Sequence, residues 1–138
     1  MLEFGKAIEL ATSNIDRYQN QLAILSDYYI REVQKRISNI KINGDSMNKL
    51  LGNNNICFAG VDGSKLVQKL DEKGICASSG SACSAGLINP SHVLLATGLS
   101  PNLARGSLRI TFGKENTIDD VKYLVDNLEK SVRELRKV

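Results

Sequence analysis

From Phe4 onward, apolar side chains recur at Ile8, Ala11, Ile15, Tyr18, Leu22, Leu25, Tyr29, Val33, Ile37 and Ile40, a spacing that averages about 3.6 residues. That period predicts one helix from about Glu3 to about Ser38, on the order of 54 Å long. Such a helix is long for a chain of 138 residues. A compact body of that size has a radius of gyration of about 14 Å, so the helix is expected to bridge two bodies or to carry one away from another.

Beyond residue 38 the pattern shortens. The segment "IKING" ends in an Asn-Gly turn signal, and "NICFAG" after the loop "SMNKLLGNN" predicts a strand. In "GSKLVQKLDEKG" Leu66, Val67 and Leu70 share one helical face and Gly74 supplies the stop. "ICAS" predicts a short strand that runs directly into "ASSGSACSAG". In "NPSHVLLATG" a short helix is expected with Asn89 as N-cap, Pro90 at the first helical position and Gly98 as its end. "SLRITFG" sets Leu108, Ile110 and Phe112 against Ser107, Arg109 and Thr111, the alternation of a half-buried strand. The last segment predicts a helix capped by Thr117, with Asp119 and Asp120 in its first turn and basic residues toward its end. Its core face is Ile118, Val121, Leu124, Val125, Leu128, Val132 and Leu135. Strands alternating with helices over short connections predict a two-layer α/β domain over residues 1–138, with the long helix at about 3–38 and the α/β body at about 39–138. The pattern leaves strand order open.

Composition narrows the class. With 42% hydrophobic and 24% charged residues the chain has the make-up of a soluble globular domain. Its apolar runs, such as "VLLA", fall far short of the roughly 20 residues of a membrane span. The net charge of +3 is spread along the chain without a basic block, so neither nucleic acid nor membrane is an expected partner. The amphipathic, acid-bearing start lacks the pattern of a secretory signal, and a cytoplasmic location is expected. Three cysteines without a C-x-x-C, together with one histidine, argue against a disulfide framework and against a metal site.

The candidate chemistry centres on Cys83. Nine of the ten residues of "ASSGSACSAG" are Gly, Ala or Ser, so no large neighbour can pack over the thiol. A small-residue loop with free backbone N–H groups suits a reactive thiolate, but it equally suits a surface loop with an incidental cysteine; composition does not separate the two. Cys57 and Cys76 fall in predicted strands and are expected as small buried side chains. His92, in the first turn of its short helix, is expected to be exposed or capping. Arg109 stands on the polar face of its strand, where a guanidinium can clamp a carboxylate or simply be solvated. Asn53, Asn54 and Asn55 are a turn signal. Neither a Walker loop nor a dinucleotide fingerprint is present.

The stretches "GVDGSKLVQKLDEKGICASSGSACSAG", "PSHVLLATGLS" and "SLRITFGKENTIDDVKYLVDNL" resemble the C-terminal part of cysteine desulfurases of the NifS/IscS-like group, in the class V aminotransferase family. The resemblance implies the small C-terminal domain of a fold-type I transferase dependent on pyridoxal 5'-phosphate. It implies that Cys83 attacks the sulfur of L-cysteine held on that cofactor, leaving alanine and a Cys83 persulfide, and that Arg109 binds the substrate carboxylate. Asn54 and Asn55 lie in the family's Asn-rich approach to the strand and are given no catalytic role. The further implications are a sulfur-acceptor partner such as an iron–sulfur scaffold, a homodimeric parent, and sulfur supply for cluster or thio-cofactor assembly. The Ser/His-Lys segment that carries the cofactor in the family has no counterpart in this sequence. The chain is therefore expected to be a C-terminal fragment of a longer sulfurtransferase, inactive alone, with no cofactor-binding residues of its own. A naturally short persulfide carrier or a non-catalytic interaction domain is the alternative, and Arg109 argues against a pure carrier, which has no carboxylate to hold.

Overall fold

The computed structural model describes residues 2–45, 48–80 and 90–137. Two helices come first, α1 (Leu2–Ser13) and α2 (Ile15–Arg36). After them come strands β1 (Ile40–Asn43) and β2 (Asn53–Phe58), helix α3 (Gly63–Asp71), and the short helices α4 (His92–Ala96) and α5 (Pro101–Arg105). Strand β3 (Ser107–Thr111) and the long helix α6 (Ile118–Leu135) complete the chain.

The helix expected over 3–38 is interrupted at Asn14. Three successive polar side chains bond back to carbonyls of the preceding turn: Thr12 Oγ1 to Ile8 O at 2.9 Å, Ser13 Oγ to Leu10 O at 3.3 Å and Asn14 Nδ2 to Leu10 O at 2.9 Å. Asn14 thereby takes the acceptor that an unbroken helix reserves for a backbone N–H, and side-chain competition of this kind breaks or bends helices. Apolar spacing continues across the break because the next turn restarts at once, with Tyr18 N–H bonding to Asn14 O at 3.0 Å.

The three strands form one antiparallel sheet in the order β1-β2-β3. One face of it carries Ile56, Phe58, Leu108 and Ile110 into a core closed by Leu25, Tyr29 and Val33 of α2, Leu66 and Leu70 of α3, and the apolar stripe of α6. Asp62 caps α3 by accepting from Ser64 N and Lys65 N, and Thr117 with Asp120 forms a reciprocal capping box at the start of α6. At its far end Arg136 donates to Ala59 O, Ser38 O and Asn39 O, tying α6 to the strand ends.

Three local expectations change. "ICAS" is not a strand: after Gly74, whose φ is +73°, the chain meets the sheet only at an isolated Ser78–Arg109 bridge. Ile75 and Ala77 turn toward the core, so alternation sends Cys76 outward, and it is exposed rather than buried. The helix after Pro90 begins at His92 with Ser91 in the cap position; Asn89 lies outside the described residues. Helix α5 was not anticipated, although Ser100-Pro101 is a cap followed by a helix-starting proline, and Ser100 Oγ accepts from Leu103 N.

Candidate functional site

The second face of the sheet is polar. Strand pairing places Asn43 opposite Asn55 and Asn55 opposite Arg109, and the bridge adds Ser78 beyond Arg109. The result is one row, Asn43–Asn55–Arg109–Ser78, running across the sheet. The neighbouring row, Lys41–Cys57–Ser107, lies on the same face two residues along each strand.

Backbone hydrogen bonds fix how close these side chains are. Arg109 N–H donates to Ser78 O at 2.7 Å, and Arg109 O accepts from Ser78 N–H at 3.2 Å. Both backbone groups of Arg109 therefore point away from β2. Arg109 and Asn55 are then a non-hydrogen-bonded antiparallel pair, the narrow kind, with Cα atoms about 4.5 Å apart and side chains in cross-strand contact range. Asn43 and Asn55 are the wider, hydrogen-bonded kind, as the neighbouring bond from Ala59 N to Asn39 O in the same ladder requires.

Side-chain bonding divides the row. Asn43 Nδ2 donates to Asn55 Oδ1 at 2.6 Å and to Cys57 Sγ at 3.0 Å. The half-buried Arg109 guanidinium has no hydrogen-bond or ion-pair partner among the described residues. It is a cation whose backbone is held in the sheet and which has no counter-ion among the described residues. Arg36 shows the opposite case, at 2.7 Å from both Asp126 and Glu129, with its pKa raised chiefly by those bonds. An arginine left without a carboxylate partner on an ordered surface suits a carboxylate from elsewhere.

Cys57 closes one end of the polar face. It is fully buried under Leu94, Leu99 and Ala104 from the α4–α5 region, and burial pushes its thiol pKa up against the opposing bond from Asn43. This matches the expectation of a small buried side chain. Gly106, between α5 and β3, is required by packing, since a methyl there would run into the Phe58 carbonyl oxygen. His92 is exposed at the start of α4. Cys83, the expected nucleophile, lies outside the described residues, as does the rest of 81–89. An open groove of about 620 Å³ lies between α2 and the tip of the β1–β2 hairpin. It reaches Asn43 and Asn55, is bordered by Asp27 and Arg31, and stops short of Arg109.

Among the described residues there is no cluster of three or more metal-ligating side chains, and no helix is long and apolar enough to cross a membrane. They also do not make a pyridoxal phosphate site. Such a site needs a lysine for the aldehyde, a flat group over the ring and donors for the phosphate. On the Arg109 face the described lysine is the exposed Lys41, and no aromatic ring or histidine stands in either polar row.

The fold, a small antiparallel sheet with one face covered by helices and an arginine on the other, is that of a class-V aminotransferase domain. The family model for aminotransferase class-V matches residues 1–124, and the chain belongs to that family. Within it, the cysteine desulfurase IscS of Dictyoglomus turgidum is 44% identical over 138 residues, all of this chain and 35% of that protein. IscS of Methanosarcina thermophila is 38% identical over 134 residues, 97% of this chain and 33% of its own length. The X-ray structure of a NifS-like protein from Rickettsia africae superposes with a TM-score of 0.82 at 25% identity, covering 94% of this chain and 33% of that one. A putative sugar aminotransferase from Streptococcus pneumoniae, solved in its PLP form, shares the fold alone, at a TM-score of 0.67 and 10% identity. The chain thus spans about a third of the length of the curated relatives it matches.

Proposed function

We propose that this chain supplies the carboxylate-binding and sulfur-accepting residues of a pyridoxal-phosphate-dependent cysteine desulfurase, which converts L-cysteine to L-alanine and an enzyme-bound persulfide. Arg109 holds the substrate carboxylate. The Cys83 thiolate takes the substrate sulfur; the C–S bond breaks, its electron pair stays on carbon and is protonated, and the sulfur remains on Cys83 as a persulfide. The cofactor, which stabilises the carbanionic character this cleavage requires, belongs to the part of such enzymes that this chain does not span. The chain alone is expected to release no sulfur from L-cysteine.

The observation that carries this reading is the Ser78 bridge. The backbone of Ser78 is pinned to that of Arg109 by two hydrogen bonds, and Cys83 follows five residues later in the sequence. At about 3.4 Å per residue Cys83 is tethered within roughly 17 Å of Ser78, the residue bonded to the Arg109 backbone. The bridge limits how far the sulfur acceptor can lie from the substrate anchor. The persulfide is read as passing to an acceptor protein such as an iron–sulfur scaffold, and the intact enzyme as a homodimer.

The test is to incubate the native protein, isolated from its own cells, with L-cysteine labelled with sulfur-35, and to map the label. The expected result is reductant-labile label on the Cys83 peptide, lost in Cys83→Ser. Label confined to Cys76, or label that persists in Cys83→Ser, overturns the assignment.

A further inference from the structure

Asn55 stands beside Arg109 with half of its carboxamide committed and half open. Its Oδ1 is taken by Asn43 Nδ2 at 2.6 Å, while its Nδ2 has no partner among the described residues. The orientation is set by hydrogen-bond economy. In this arrangement the Asn43 NH2 serves both Asn55 Oδ1 and Cys57 Sγ, and the cost is one buried Asn43 Oδ1 without a partner among the described residues. Turning both amides over would instead leave a buried NH2 with two unpaired hydrogens, which is the worse arrangement. Asn43 is in turn held by the fully buried Cys57. The chain of contacts Cys57–Asn43–Asn55 therefore works as a brace that fixes the Asn55 amide with its oxygen turned toward β1 and its NH2 without a partner among the described residues.

We propose that Asn55 is a second substrate-binding residue, donating through Nδ2 to the same carboxylate that Arg109 clamps. The proposal rests on the reading of Arg109 given above. A carboxylate offers about four lone-pair positions. A guanidinium covers two of them bidentately, and a neutral donor across the narrow strand pair reaches another. The pairing also selects for ligand type: an amide NH2 next to a guanidinium presents donors alone, so an anion is favoured over a neutral amide with its single carbonyl oxygen, and an ammonium has no acceptor to offer. Asn43 is then a positioning residue, acting through Asn55.

The test uses the 138-residue chain labelled with nitrogen-15 and titrated with L-alanine, the unreactive product of the proposed reaction, against L-alaninamide, which lacks the carboxylate. L-alanine is expected to shift the Asn55 side-chain NH2 and the Arg109 Nε–H resonances together, and L-alaninamide to shift neither. Asn55→Ala is expected to weaken L-alanine binding about fivefold, and Asn55→Asp to abolish it by setting a carboxylate against a carboxylate. Arg109 resonances that shift while the Asn55 NH2 stays still, or an unchanged affinity in Asn55→Ala, overturn the role of Asn55 and leave Arg109 standing. If L-alanine moves neither residue, both readings fall.

Discussion

The two faces of the sheet are made from alternate residues of the same strands, and they are chemical opposites. On one face Ile56, Phe58, Leu108 and Ile110 are at most 4% exposed and sealed by α2, α3 and α6. On the other, Asn43, Asn55 and Arg109 stand in a row, and among the described residues α4 and α5 roof the Cys57 end. Side chains alternate with a period of two along a strand, so neighbours such as Leu108 and Arg109 share a backbone but not a task. The sealed face supplies the rigidity, and the polar face can therefore carry a cation, Arg109, and an amide donor, Asn55 Nδ2, that have no partner among the described residues.

Substituting those two neighbours one at a time tests the division most severely. Leu108→Ala opens a cavity in the sealed face and is expected to cost about 3 kcal/mol, within the range for buried Leu→Ala changes. Arg109→Ala removes a side chain with no partner among the described residues and is expected to change stability by no more than about 0.5 kcal/mol, while abolishing carboxylate binding. Urea unfolding of both variants reads the contrast directly. Equal destabilisation by the two would show that the polar face carries the fold as well.

The two described cysteines differ in cover. Cys57 is buried and its thiol pKa is pushed up, whereas Cys76 is exposed. Because the thiolate is the reactive form, brief iodoacetamide treatment of the native chain near pH 8 is expected to alkylate Cys76 and spare Cys57 until denaturant is added. Peptide mass mapping settles it. Labelling of Cys57 at the rate of Cys76 would mean that the α4–α5 roof opens readily, and that the brace behind Asn55 is not rigid.

Much of the sealed face could be read from the chain. The alternation in 107–112 and the helical stripe of 118–135 identify the residues that the core contains, because burial imposes a period that the sequence must display. The failures come where no period exists. The break at Asn14 arises from three side chains competing for carbonyls inside an uninterrupted apolar repeat. The outward turn of Cys76 depends on where a connecting segment meets the sheet, at Ser78. The open face was half legible. Arg109 could be singled out as a charged residue in a strand, but Asn55 looked like part of a turn. Its role depends on register across three strands, which local sequence does not encode. Cys83 could be chosen from its setting and from family likeness, and its geometry lies outside the described residues.

The smallest effect expected concerns the two arginines and acid. Three carboxyls are held below the usual carboxylate range: Glu129 chiefly by its bond from Arg36, Glu134 by its bond from Lys69 and Asp120 by the backbone N–H of Thr117. A carboxyl whose folded pKa is depressed contributes its stability above its unfolded value and loses it as pH falls through the folded value. The acid limb should therefore begin as pH drops below about 4.5, where unfolded carboxyls start to take up protons. Arg36→Met removes the main cause of the Glu129 shift, so stability should fall slightly at pH 7 and hardly at all at pH 3, which flattens the limb. Arg109→Met removes a cation that holds no carboxyl among the described residues, and the limb should keep its slope. The pairs are exposed enough for solvent to screen them, so the measurement is a difference of urea midpoints at the two pH values rather than a single melt. An Arg109→Met limb as flat as that of Arg36→Met would reveal that Arg109 already has an internal carboxylate, and that the open face is not waiting for a ligand.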